Sequence, residues 1–138
     1  MSRELNGNLG KLILRISIGG LLIFHGIAKL IHGHEPVRNM LSANSLPDFL
    51  WMGVPIGEVV APLCLLLGIF TRLSSVIVAF TMFMTIYLTS KMAAITTLSQ
   101  TGGLNGEMNL LYLLGALALL FLGAGKYSIY KGNKGLFL

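Results

Sequence analysis

Four long apolar stretches, Leu9–Ile31, Phe49–Phe70, Leu73–Thr89 and Met108–Leu122, limit what this sequence can fold into. A bilayer core about 30 Å thick takes roughly 20 helical residues to cross, with ~17 as the practical minimum. The first two stretches suffice as they stand. The third reaches Ile95 if Lys91 extends its ammonium back to the membrane surface, and the fourth is long enough if it runs from Glu107 to Ala124. None of the four alternates polar with apolar residues, which argues against a β-barrel. The expected fold is all-α: a single membrane domain over residues 1–138, polytopic, with four transmembrane helices near residues 9–31, 49–70, 73–95 and 107–124.

Composition supports this by exclusion. Only 11% of the residues are charged, less than half of the ~25% that keeps a soluble domain wet. The 54% hydrophobic content excludes disorder, which needs low hydrophobicity and high net charge. One cysteine, Cys64, permits no internal disulfide and no paired-cysteine zinc or redox motif. The first stretch does not read as a removable signal peptide. Its apolar part is too long, and Lys29, Ile31 and His32 stand where a cleavage site needs small residues.

The net charge of +5 reads as bilayer asymmetry rather than as nucleic-acid binding. With four spans, the amino terminus, the Thr71–Arg72 turn and the carboxyl tail share one side. That side carries Arg3, Lys11, Arg72, Lys126, Lys131 and Lys134. The opposite side carries Arg38 and Lys91 beside the acidic Glu35 and Asp48. Both termini are therefore expected in the cytoplasm. In the first outer loop Pro36 suits the first turn of a short helix ending at Ala43, and Trp51 belongs at headgroup level.

Ionisable groups inside spans are costly and mark candidate sites. Arg15, His25 and Lys29 lie in the first span at helical spacing, so they share one face that must point into the bundle. Glu58 lies in the second span and Glu107 at the start of the fourth, with Asn109 and Tyr112 at the same helix end. The helical rise brings His25, Lys29, Glu58 and Glu107 to the outer half of the bundle. The expected pairs are Lys29 with Glu107 and His25 with Glu58. Arg15 has two routes, up to Glu58 or down to lipid phosphate beside Arg72. These seven residues are the candidates for ligand binding or proton exchange.

Pro55, Gly57, Pro62 and Gly68 interrupt the second span. Pro62 has no N–H to donate to the carbonyl of Glu58, so a free carbonyl and a carboxylate could face a cation or headgroup at one depth. The competing reading is that Pro and Gly are simply frequent in membrane helices. Asn105 suits the N-cap of the fourth helix and Glu107 the positive end of its dipole. No metal is expected: His32, His34 and Glu35 fall in a loop where such groups are usually solvated. Gly19, Gly20 and Gly26 would permit close packing between copies of the chain.

Several segments together resemble one family. Arg15–Lys29 (RISIGGLLIFHGIAK) is similar to the first helix of the DoxX family of small bacterial membrane proteins. Gly57-Glu58 and Gly68-Ile69-Phe70-Thr71-Arg72 resemble its second helix and turn. Gly106–Tyr112 (GEMNLLY) and Gly123–Ile129 (GAGKYSI) resemble the start of its fourth helix and its closing segment. Tyr130 departs from that pattern, which often places an acidic residue there. The resemblance implies a four-helix bundle in the bacterial inner membrane. Through an archaeal relative in a thiosulfate:quinone oxidoreductase it also implies contact with quinone. Other relatives are linked to oxidative-stress or thiol-homeostasis complexes, and distant eukaryotic ones are surfeit-type cargo receptors.

The sequence supports three functional readings. In the first, the chain is a redox-associated subunit whose polar cluster holds a quinone, with electrons supplied by a partner protein. In the second it is a non-catalytic module binding lipid, a small molecule or a partner protein, and the cluster fixes bundle geometry. The third is a proton-coupled transporter, which at this length lacks room for an inverted repeat and would need a homo-oligomer.

Overall fold

Arg3 to His32 form one long helix, α1: α-helical over Arg3–Arg15, widened to a π-turn over Ile16–Gly20, and α-helical again over Leu21–His32. The structure, a computed structural model, describes residues 3–90 and 93–129. Gly33 ends α1 at φ 94°. A short α2, Glu35–Ala43, comes next with proline in its first turn, as the sequence predicts. The helix α3 starts as a 3-10 turn, Asp48–Met52, becomes α-helical at Gly53–Pro55, passes through a π-turn at Ile56–Val60 and ends as Ala61–Leu67. Then come α4 (Thr71–Ser90), α5 (Ala93–Thr96) and α6 (Glu107–Leu122). Among the described residues there is no strand, only an isolated bridge between Leu98 and Leu104.

Three helices, Glu4–His32, Asp48–Leu67 and Thr71–Thr89, are long and apolar enough to cross a membrane. At 16 residues, α6 spans about 24 Å. It stops at Leu122, short of the expected Ala124, because Gly123 turns to φ 70°. The second span likewise ends at Leu67 rather than Phe70. Gly68 takes the left-handed conformation, Ile69 N–H reaches Cys64 O at 2.8 Å and Gly68 N–H reaches Leu65 O at 3.1 Å. This paired closure is a Schellman cap, which uses up the last carbonyls of the helix. Lys91, on which the length of the third span depends, lies outside the described residues.

The surface is inverted relative to a soluble protein. Phe24 (72%), Ile31 (74%), Phe80 (64%) and Phe121 (79%) are exposed, while Arg15, Glu58, Thr71, Ser74 and Ser75 are buried. An apolar exterior of this extent suits lipid rather than water. Inside, Ile18, Leu22, Ala61, Leu65, Val78, Met82, Ala116 and Leu119 form the core. Ser75, Thr81 and Thr85 each donate to the carbonyl four residues back, so α4 satisfies these three hydroxyls without help from other helices.

Glycines set the helix spacing. A Cβ on Gly19 would lie 2.6 Å from Pro62 O, one on Gly26 2.4 Å from Glu58 O, and one on Gly115 2.4 Å from Ile18 Cδ1. Gly19 and Gly26 are thus occupied inside the bundle, and not available for the contacts between copies that the sequence suggests. Van der Waals packing at small residues is the usual way membrane helices associate.

The helices form two pairs. The Leu21–His32 half of α1 packs on α3, and α4 packs along α6, whereas α6 meets α1 mainly through Arg3–Gly20. The two pairs are held together at the end bearing the Gly68 turn and diverge toward the end bearing α2 and the 97–106 loop. The closing segment wraps under the joined end. Ile129 N–H donates to Leu67 O at 3.1 Å, and Lys126 N–H to Asn8 Oδ1 at 3.0 Å.

Candidate functional site

The divergence of the two helix pairs leaves a cavity of about 740 Å³, within the range of small-molecule sites. Its wall is mostly apolar, with Leu22, Phe49, Ile77, Met82, Met84 and Leu88 among the lining side chains, and α2 and the 3-10 turn of α3 cover its loop end. The polar side chains reaching it are few: Glu58, Lys29, His25, Asn109, Tyr112, Thr81, Thr85 and Thr89. The Thr81 and Thr85 hydroxyls are already bonded within α4.

Glu58 owes its position to the local irregularity of α3. The π-turn Ile56–Val60 carries it, with Ala61 N–H donating to Ile56 O across the widened turn. π-turns of this kind recur at functional sites. The residue is 1% exposed, and its Oε1 lies 2.6 Å from Lys29 Nζ. Lys29 comes from the last turn of α1, where a cation also complements the helix dipole. The second carboxylate oxygen, Oε2, is buried and has no hydrogen-bond partner. The Glu58 carbonyl, which Pro62 cannot satisfy, faces Gly26 on α1 at a distance that would not admit a methyl group. It is therefore covered by helix packing, not offered to a cation or headgroup as the sequence alone suggests. The carboxylate alone carries the chemistry.

Two expected pairs are replaced. Lys29 bonds Glu58, not Glu107, because α3 approaches α1 at Gly26, one turn before Lys29. His25 does not pair with Glu58; its ring lies edge-on to Tyr112, with centroids 6.0 Å apart and planes at 76°. Asn109 and Tyr112 line the cavity with it. Glu107 does not. It is exposed at the first turn of α6, its carboxylate folded over Gly103, which leaves the helix dipole as its role. Asn105 does not cap α6: Gly106 holds the N-cap position, and the Asn105 amide donates to Thr97 Oγ1 at 2.7 Å.

Arg15 takes neither expected route. It is 1% exposed, and Nη2 donates to the backbone carbonyl of Tyr127 while Nη1 lies against Gly68. From His25 it is ten residues, about 15 Å, along α1. Arg15 ties the closing segment to the bundle and is not part of the cavity. Tyr130, Lys131 and Lys134 lie outside the described residues.

Two features were not legible in the sequence. Both π-turns sit beside or around a buried charge, Arg15 and Glu58, but no residue pattern announces them. The other is a cluster over the cavity: the His34 ring stacks on Trp51 (4.2 Å, 28°). Arg38 lies over the same indole at 5.3 Å and pairs with Asp48 at 3.4 Å. The headgroup-level tryptophan was the available signal. Among the described residues no three His, Cys, Asp or Glu side chains are grouped to hold a metal.

Residues 10–91 match the family model named DoxX. The chain belongs to the DoxX family. No curated protein and no solved structure gives a significant match. The DoxX match includes Arg15, His25, Lys29 and Glu58 and ends before α6, so the resembling segments 106–112 and 123–129 lie beyond it. Within the DoxX match, then, the structure separates two roles. Glu58, Lys29 and His25 face the cavity, and Arg15 holds the opposite end of the bundle.

Proposed function

We propose that this DoxX protein is a four-span subunit of the bacterial inner membrane that binds a membrane-dissolved quinone in the Glu58–Lys29 cavity. In this reading α6 completes the fourth span. The joined end faces the cytoplasm, because Lys11, Arg72 and Lys126 lie there, whereas the loops at the other end carry Arg38 among their described residues. The observation that carries the reading is a buried carboxylate, paired with a partly exposed ammonium, on the wall of a largely apolar cavity of about 740 Å³. A quinone needs that combination: polar groups for its ring oxygens and an apolar slot for its tail. His25 and Glu58 are the candidate proton-exchange groups on the cavity wall. Electrons come from a partner protein, and this chain binds, orients and exchanges protons.

The test is thermal unfolding of the detergent-purified chain with decylubiquinone. The proposal expects a concentration-dependent rise in apparent Tm for the wild type and none for Thr85→Phe, which fills the cavity. A flat response in the wild type contradicts it. The non-catalytic reading, in which the ion pair only fixes helix geometry, expects Glu58→Gln to lower stability and keep the quinone response.

A further inference from the structure

Resting on that quinone reading, we infer that the cavity selects the hydroxyl-bearing partner of a quinone–quinol pair, because Glu58 Oε2 needs a donor that the protein does not supply. The carboxylate has two accepting oxygens and nothing to donate. Oε1 is taken by Lys29 Nζ at 2.6 Å. Oε2 is buried without a partner in a side chain that is 1% exposed and lines the cavity. Thr81 donates instead to Ile77 O and Thr85 to Thr81 O, both at 2.9 Å. None of the other polar side chains lining the cavity, His25, Thr89, Asn109 and Tyr112, bonds Oε2. An occupant that seats a hydroxyl against Glu58 supplies the donor.

A quinone ring presents only carbonyl acceptors, so against Oε2 it would set acceptor to acceptor. A quinol presents O–H groups and satisfies the oxygen with a charge-assisted bond. Lys29 pulls the other way, because its remaining ammonium protons suit a carbonyl. Lys29, however, is 38% exposed and Glu58 1%. An exposed ammonium finds other partners, whereas a buried charged oxygen does not, so the carboxylate decides the preference. A preference of about tenfold or more for the quinol is expected from one such bond. By linkage, each tenfold raises the midpoint potential of the bound two-electron couple by about 30 mV. The occupied site would then favour the reduced form of its ligand.

The experiment titrates the full chain in detergent with decylubiquinone, with its reduced quinol and with the dimethyl ether of that quinol, following unfolding temperature. The quinol should bind at least tenfold more tightly than the quinone, and the ether should lose that advantage. Glu58→Gln, whose amide can donate to a carbonyl, should narrow or reverse the preference. If Glu58→Gln does not fold, the wild-type series decides alone. Equal affinity for quinol and quinone, or full affinity for the ether, overturns hydroxyl selection and leaves the quinone site standing. Binding of none of the three overturns both.

Discussion

Gly26→Ala tests whether the approach of α1 to α3 builds the site. The added Cβ would sit 2.4 Å from Glu58 O, 2.7 Å from Glu58 C and 2.7 Å from Val59 Cγ2. Carbon–oxygen contacts relax at about 3.3 Å, so the helices must part by about 0.9 Å. Two of the three obstructing atoms are backbone, so no rotamer change relieves the clash. Such overpacking costs about 1–3 kcal/mol. The same displacement would stretch the 2.6 Å Lys29–Glu58 bond to about 3.5 Å, beyond hydrogen-bond range. Gly20→Ala is the control. It is the same substitution six residues earlier, where the backbone is helical (φ −64°, ψ −49°) and the nearest atom to a new Cβ is Leu66 Cδ1 at 3.9 Å. There alanine should be neutral or stabilising by up to about 1 kcal/mol. Thermal unfolding of both variants in one detergent gives the comparison, and equal stability of the pair would refute the reasoning.

Other perturbations separate the parts of the molecule. Lys29→Met strands a buried carboxylate and should destabilise by about 3 kcal/mol, near the low end because Lys29 is 38% exposed; in a thermal double-mutant cycle, Lys29→Met/Glu58→Gln should recover part of that loss. Arg15→Lys gives up the planar fork that reaches Tyr127 O and should speed tryptic cleavage after Lys126, timed by mass spectrometry, without changing ligand response. Trp51 is the one tryptophan of the chain, and Phe49, Leu50 and Met52 beside it line the cavity. Filling the cavity with decylubiquinone should therefore quench its fluorescence saturably in the wild type and not in Thr85→Phe.

The three long apolar helices and the shorter α6 were legible because a bilayer imposes a length and a polarity on every helix that crosses it. Candidate residues were legible for a related reason: Arg15, Lys29 and Glu58 stand out where charge is expensive. Their partners were not. Helical spacing places residues along and around one ideal helix, but Ile16–Gly20 and Ile56–Val60 are π-turns, which shift the helical phase of the two flanking segments relative to each other. Pairing also depends on how closely two helices approach, and Gly26 brings α3 nearer to Lys29 than composition alone could indicate. Arg15 was misplaced because its partner is a backbone carbonyl in the closing segment, and every residue has such a carbonyl.

The most direct measurement is native mass spectrometry of the chain released from detergent after purification from a quinone-containing bacterial membrane. The account predicts that wild-type protein carries a quinone or quinol mass that organic extraction confirms, and that Thr85→Phe, equally folded, does not. The same spectrum gives the number of chains in the particle. Wild-type protein that emerges from such a membrane with no such mass, or a Thr85→Phe variant that retains it, would contradict the assignment of the cavity.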